Sequence, residues 1–167
     1  MKITDILTGA EKSVEYSEWR KENSDNYLAH IFIMFDGEKL MDRQVGYYNA
    51  ERGTMSSFSI NDDNVTLIPE AEVLKKPDGS SVNKLEISDV AIDFEAAEEK
   101  ARTLLKDKYS KEASKRIYIL QDIGDGAIWN ITLLTNDYST INIRIDSREG
   151  KILKDEIVNI IDFERSG

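Results

Sequence analysis

Tyr27-Leu28-Ala29-His30-Ile31-Phe32-Ile33-Met34-Phe35 is the stretch on which the fold turns. Successive strand residues point to opposite faces, so Leu28, His30, Phe32 and Met34 share one face and Ala29, Ile31, Ile33 and Phe35 the other. Both sets are mostly apolar, which predicts a central strand covered on both sides. Asp36-Gly37-Glu38-Lys39 then supplies hairpin chemistry.

Working outward, residues 40–48, 54–60 and 65–74 read as further strands, parted by Asn49-Ala50-Glu51-Arg52-Gly53 and by Asn61-Asp62-Asp63-Asn64. Upstream, Val14-Glu15-Tyr16-Ser17-Glu18-Trp19-Arg20 alternates imperfectly but has strand composition. Residues 3–12 suit one or two helical turns with Ile3, Ile6 and Leu7 on one side. An antiparallel meander of about five strands is therefore expected in this half. Lys75-Lys76-Pro77-Asp78-Gly79-Ser80-Ser81 is the clear linker, since Pro-Asp-Gly is strong turn chemistry. It divides a β-rich unit over residues 1–76 from a second unit over 82–167, with packing as a single body left open.

The second unit opens on a helix. Asp93 is a good N-cap, and Glu95, Glu98 and Glu99 suit the positive end of the helix dipole. Ile92 and Ala97 fit a hydrophobic staple, while Phe94, Ala97, Ala101, Leu104 and Leu105 form an apolar stripe. Glu98 and Arg102 stand at i,i+4 spacing, and the helix should fray near Tyr109-Ser110. Strands follow over 116–121, 127–135, 140–146 and 151–161. In the third, Ile141, Ile143 and Ile145 alternate with Asn142 and Arg144, the pattern of a half-buried strand. The predicted class is α+β: an antiparallel meander, then a helix packed on an antiparallel sheet.

Ile87-Ser88, a helix carrying Ala96-Ala97 and Ala101, Ile128-Trp129-Asn130-Ile131, and the ending Ile143-Arg144-Ile145-Asp146-Ser147-Arg148-Glu149-Gly150-Lys151-Ile152-Leu153 resemble a PepSY domain over residues 87–158. The resemblance implies a small, cystatin-like helix-on-sheet unit. It also implies kinship with peptidase propeptides and with proteins thought to restrain peptidases. In the ending, Asp146 can bond backbone groups of the turn, and Gly150 can take the positive φ that other residues resist. Residues 48–55 can be laid over 145–152 as a diverged repeat, although of these residues only the glycine is shared.

With 32 acidic and 22 basic residues the net charge is −10, spread over both halves. No cluster of Lys and Arg is dense enough to neutralise a phosphate backbone, so nucleic acid is not expected as a partner, nor is an anionic membrane. The chain has no cysteine, which excludes disulfides, thiolate metal sites and cysteine nucleophiles. The N-terminus lacks an apolar core of signal-peptide length, so a cytoplasmic protein is expected. A leader removed ahead of residue 1 would leave no trace in this sequence.

No catalytic constellation emerges, and neither a cofactor nor a metal is expected. His30, the one histidine, could serve as a general base or a single metal ligand, but its apolar strand favours a core histidine with one hydrogen bond. Asp122-Ile123-Gly124-Asp125-Gly126 and residues 61–64 lack the alternating acids of a calcium loop and read as turns. Aromatic residues are enriched at binding hot spots, which makes Tyr47, Tyr48, Trp129 and Tyr138 the candidate binding residues. Core and cross-strand pairing is the competing role for each. Tyr47 and Tyr48 face opposite ways, so at least one should be exposed. The leading expectation is a non-enzymatic module that recognises a protein or peptide through a sheet face or edge. The alternatives are a small-molecule or enzymatic pocket between helix and sheet, and self-association through strand edges.

Overall fold

The computed structural model describes residues 1–73 and 82–159. Strand β1 (Tyr27–Asp36) lies at the middle of an eight-stranded sheet. It is flanked by β2 (Lys39–Asn49) and by β5 (Ala113–Asp122), which pairs with it from Asp36 opposite Lys115 to His30 opposite Gln121. Outward from β2 run β3 (Thr54–Asn61) and β4 (Asn64–Glu72). Outward from β5 run β6 (Ala127–Thr135), β7 (Ser139–Asp146) and β8 (Ile152–Asn159). The order is β4-β3-β2-β1-β5-β6-β7-β8 and every neighbouring pair is antiparallel. The class is α+β, as expected, but both halves share one sheet, larger than a meander beside a separate C-terminal sheet. Residues 74–81, which include the predicted linker, and the end of the last predicted strand lie outside the described residues.

Two helices precede the first meander, α1 (Ile3–Glu11) and α2 (Val14–Glu22). The second corrects the strand expected over 14–20. Ser13 is an N-cap whose hydroxyl accepts the Tyr16 N–H at 3.1 Å, so the helix starts where the alternation was read. Tyr16 and Trp19, three residues apart, then fall on one helical face and pack against Tyr47 and Phe58.

Helix α3 (Phe94–Leu104) precedes the second meander and ends in a π-turn over Leu105–Tyr109, with Ser110 left-handed. Asp93 caps it as predicted, its Oδ1 accepting the Phe94 N–H at 2.7 Å and also the Ile3 N–H at 3.1 Å, which ties α1 to α3. Phe94, Ala97, Ala101 and Leu105 are buried against the sheet, where Phe94 meets Phe35, Tyr118 and Trp129. The anticipated Glu98–Arg102 pair is replaced by longer-range partners. Glu98 accepts from Arg116 at 2.5 Å, and Arg102 turns to Glu38.

Each half thus runs from a helical segment into a four-stranded meander, and the two meet at β1 and β5. The turn at residues 49–53 joins β2 to β3, whereas Gly150 lies between β7 and β8. The overlay of 48–55 on 145–152 therefore matches places that are not equivalent in the two meanders.

Candidate functional site

All three helices cover one face of the sheet. That face holds Ile31, Ile33, Val45, Tyr47, Phe58, Tyr118, Leu120, Trp129, Ile131, Leu133, Ile141, Ile143 and Ile145, each at most 1% exposed. Strand β7 alternates strictly between buried and half-buried positions, as do residues 116–121 of β5 and 129–135 of β6. Among the described residues no element lies over the half-buried set.

Cross-strand pairing assembles that open face. Phe32 lies opposite Ile119 and Met34 opposite Ile117, giving a central apolar patch. On one flank, Ile119 faces Asn130 and Ile117 faces Thr132, which in turn oppose Arg144 and Asn142. Asn142 Nδ2 donates to Asn130 Oδ1 at 3.0 Å, to the Ile131 carbonyl at 3.2 Å and to Thr132 Oγ1 at 3.3 Å. On the other flank, Asp42 accepts from Ser59 Oγ and from Gln44 Nε2, both at 2.6 Å. Two ordered polar borders thus frame the patch. Arg144 Nε is buried without a hydrogen-bond partner among the described residues, and Lys154 of β8 stands opposite Arg144. Lys154 is paired in turn with Glu156, 3.5 Å away on the same face.

The coverage expected on both sides of β1 is corrected accordingly. A bulge at Ala29, between the Leu28–Tyr47 and His30–Gly46 pairs, turns Leu28 into the helix-side core. His30, Phe32 and Met34 stay on the open side and are half-buried. His30 lies over Gly46, and burial lowers its pKa from the ordinary 6.5 to about 4, so the ring is neutral at neutral pH. Its nitrogens make no hydrogen bond among the described residues, in contrast to the single bond expected. Gln121 stands opposite it on β5, but no hydrogen bond among the described residues orients the ring as a general base would require.

The four aromatic candidates do not come together. Tyr47 is 1% exposed, in the ring cluster beneath α2, with its hydroxyl donating to Glu11 Oε1 at 3.0 Å. Burial, then the Glu11 carboxylate, raises its pKa. Tyr48 does face the other way, yet it too is buried, edge-on to Tyr27, whose hydroxyl donates to the Val82 carbonyl. The expectation that one of the pair is exposed fails because both faces are covered at that end of β2. Trp129 is fully buried under α3, and its Nε1 donates to the Ile92 carbonyl at 2.8 Å. Tyr138 is 69% exposed in the β6–β7 turn, away from the other three.

The seam between α3 and the sheet is packed with side chains. Concavities lie beside the helix instead. A cleft of about 540 Å³ is lined by Ala96, Lys100, Thr103, Leu104, Lys108 and Ile152, and another of about 380 Å³ lies near Arg102 and Arg116. Among the described residues no group of three or more His, Asp and Glu side chains is placed to hold a metal ion. No helix among them is long and apolar enough to cross a membrane.

The Asp146–Gly150 turn behaves as its chemistry predicts. Asp146 Oδ1 accepts the Arg148 N–H at 3.0 Å, the Gly150 N–H donates to the Asp146 carbonyl at 2.9 Å, and Gly150 has φ +74°. The Ser147 carbonyl accepts from Ala91 and Ile92, which docks the segment leading into α3.

No family model matches the chain, and no curated protein matches it. Among solved structures it superposes on a candidate lipoprotein from Clostridium difficile 630 with a TM-score of 0.55. The two are 18% identical, and the match covers 86% of this chain and 90% of the other. This is a likeness of fold.

Proposed function

We propose that the protein is a non-enzymatic binding module that recognises a protein partner through the open face of its sheet. The observation that carries this reading is the one-sided layering. An uncovered sheet face presents Phe32, Met34, Ile117 and Ile119 between ordered polar borders, and an apolar centre with a polar rim is the anatomy of a protein interface. Arg144, whose Nε has no partner among the described residues, suits an acidic group on the partner. The PepSY-like ending over residues 143–153 supports reading the second half as such a unit. It makes a peptidase the partner to test first.

The experiment compares partner capture by the wild-type chain with capture by Ile119→Asp and Arg144→Glu, after circular dichroism shows each variant folded. Loss of the partner from both, with retention by Lys100→Glu and Thr103→Glu on the outer side of α3, is the expected result. The reverse pattern moves the site to the cleft beside α3 and overturns the reading.

A further inference from the structure

The two edges of the sheet are built differently. Edge strand β4 carries Pro69, which lacks an N–H, together with Glu70 and Glu72, and a bulge interrupts its pairing with β3. These are the usual guards against edge-to-edge pairing. Edge strand β8 has no proline and, past a bulge at Leu153, pairs continuously with β7 from Lys154 to Asn159. Its apolar side chains are open to solvent: Ile152 36%, Leu153 50%, Ile157 41% and Val158 46%. Among the described residues no strand covers its outer edge.

We infer that β8 is a homodimer edge: two copies of this chain pair β8 to β8 antiparallel, with Asp155 on the two-fold axis. The register follows from the side chains. An axis perpendicular to the sheet keeps the helices of both copies on one side, and it requires some residue of β8 to face its own copy. With Lys154 on the axis two ammonium groups meet, and with Glu156 there two uncompensated carboxylates meet. With Asp155 there, Lys154 of each copy faces Glu156 of the other, and the regular pairing ends at the Leu153 bulge. Within one chain Lys154 Nζ already lies 3.5 Å from Glu156 Oε1, so pairing yields a four-charge cluster of alternating sign. The two Asp155 carboxylates at the axis are each held on the helix side by their own chain. Lys108 Nζ donates to Asp155 at 2.5 Å, and the Tyr109 hydroxyl donates as well. A lone lysine on an edge guards it against pairing, and a glutamate placed opposite removes that guard. Opposed charges across a strand pair stabilise where like charges repel. This dimer does not occupy the face proposed for partner recognition, because an edge-on pair extends the sheet in its own plane.

The test is sedimentation of the full chain over a concentration series reaching several hundred micromolar. A monomer–dimer equilibrium is expected. Lys154→Glu and Glu156→Lys each weaken the dimer roughly tenfold by setting like charges opposite one another, and the double variant restores it. In this cysteine-free chain, Asp155→Cys under mild oxidation forms a covalent dimer. Directly opposed antiparallel residues lie about 4.5–5.5 Å apart, within disulfide reach. Leu153→Cys forms none. A monomer throughout the series overturns the proposal, as does a double variant no tighter than the singles, or cross-linking through Leu153→Cys in place of Asp155→Cys. Should Asp155→Cys fail to fold for want of its bonds to Lys108 and Tyr109, the wild-type series and the charge exchange decide the matter.

Discussion

The imidazole of His30 lies directly over the Cα of Gly46 on the neighbouring strand, so close that a methyl group there would come within 2.2 Å of Cε1. Glycine is required at residue 46 because the ring fills the space a Cβ would take. Gly46→Ala forces the ring off its seat, and overpacking of this kind costs about 1–3 kcal/mol. The urea midpoint should fall accordingly. His30→Ala in the same chain should recover part of the loss, since contacting residues are coupled. Additive effects would show that the ring and the glycine do not compete for the same space.

The same ring sets a pH dependence. In the unfolded chain the imidazole binds a proton near the ordinary 6.5, whereas burial holds it neutral in the fold down to about 4. Between those values the unfolded state binds more protons, so stability falls as pH drops from 6.5 toward 4. The loss is on the order of 3 kcal/mol at the bottom of that window. Unfolding free energy measured from pH 7 to pH 4 checks this, and His30→Gln should flatten the slope. An unchanged slope in the variant would assign the acid sensitivity to carboxylates instead.

Much of this fold is legible in local chemistry. The apolar run around Ile31 and Ile33 predicts the central strand, Asp93 marks the start of α3, and Asp146 and Gly150 define their turn. Helix α2 is misread because seven residues with Val14 and Tyr16 two apart, and Trp19 three further on, satisfy two periods at once. The capping serine at residue 13 is the signal that separates them. The site lies deeper. That β1 pairs with β5, some eighty residues on, and that all three helices fall on one side, depends on tertiary packing that no short window carries. The alternation of Ile141, Ile143 and Ile145 with Asn142 and Arg144 does announce an uncovered face. It does not announce that Phe32 and Ile119 complete it. The aromatic candidates fail for a related reason. Tyr47 and Trp129 supply large rings to the interior, and the sequence does not distinguish that use from a hot spot.

Arg116 is only 4% exposed, while its partner Glu98 keeps 24%. Arg116 donates to Glu98 at 2.5 Å and to the Gly37 carbonyl at 3.1 Å, and its guanidinium lies 4.6 Å from the Phe35 ring centroid. Removing the carboxylate leaves the buried cation only the more distant Glu38, at 3.9 Å, as counter-charge. Breaking one side of such a pair costs about 3–5 kcal/mol. Glu98→Ala should fall near the lower end of that range, because Gly37 and Phe35 still attend the cation. Arg116→Met fills the space with apolar atoms and frees Glu98 to reach solvent, so it should cost less. Thermal denaturation of the two variants checks the order, and a more damaging Arg116→Met would show that the arginine's own bonds outweigh the stranded charge.

Gly150 joins backbone conformation to the docking of α3. Its φ of +74° is one that L-residues resist, and a Cβ there would stand 3.0 Å from Lys100 Cε and 3.2 Å from Ile92 Cδ1. The lysine end can move, but Ile92 is packed against the core and its N–H is held by the Ser147 carbonyl at 2.7 Å. Gly150→Ala should therefore cost about 1–2 kcal/mol for the left-handed backbone, plus the displacement of Ile92. The loss should not be uniform. The amides of Ala91 and Ile92, which both donate to Ser147, should lose hydrogen-exchange protection before those of β6 and β7. If the overall stability falls while those two amides keep their protection, the strain resides in the turn alone and the segment leading into α3 is anchored by something else, with the Trp129 bond to the Ile92 carbonyl the next contact to remove.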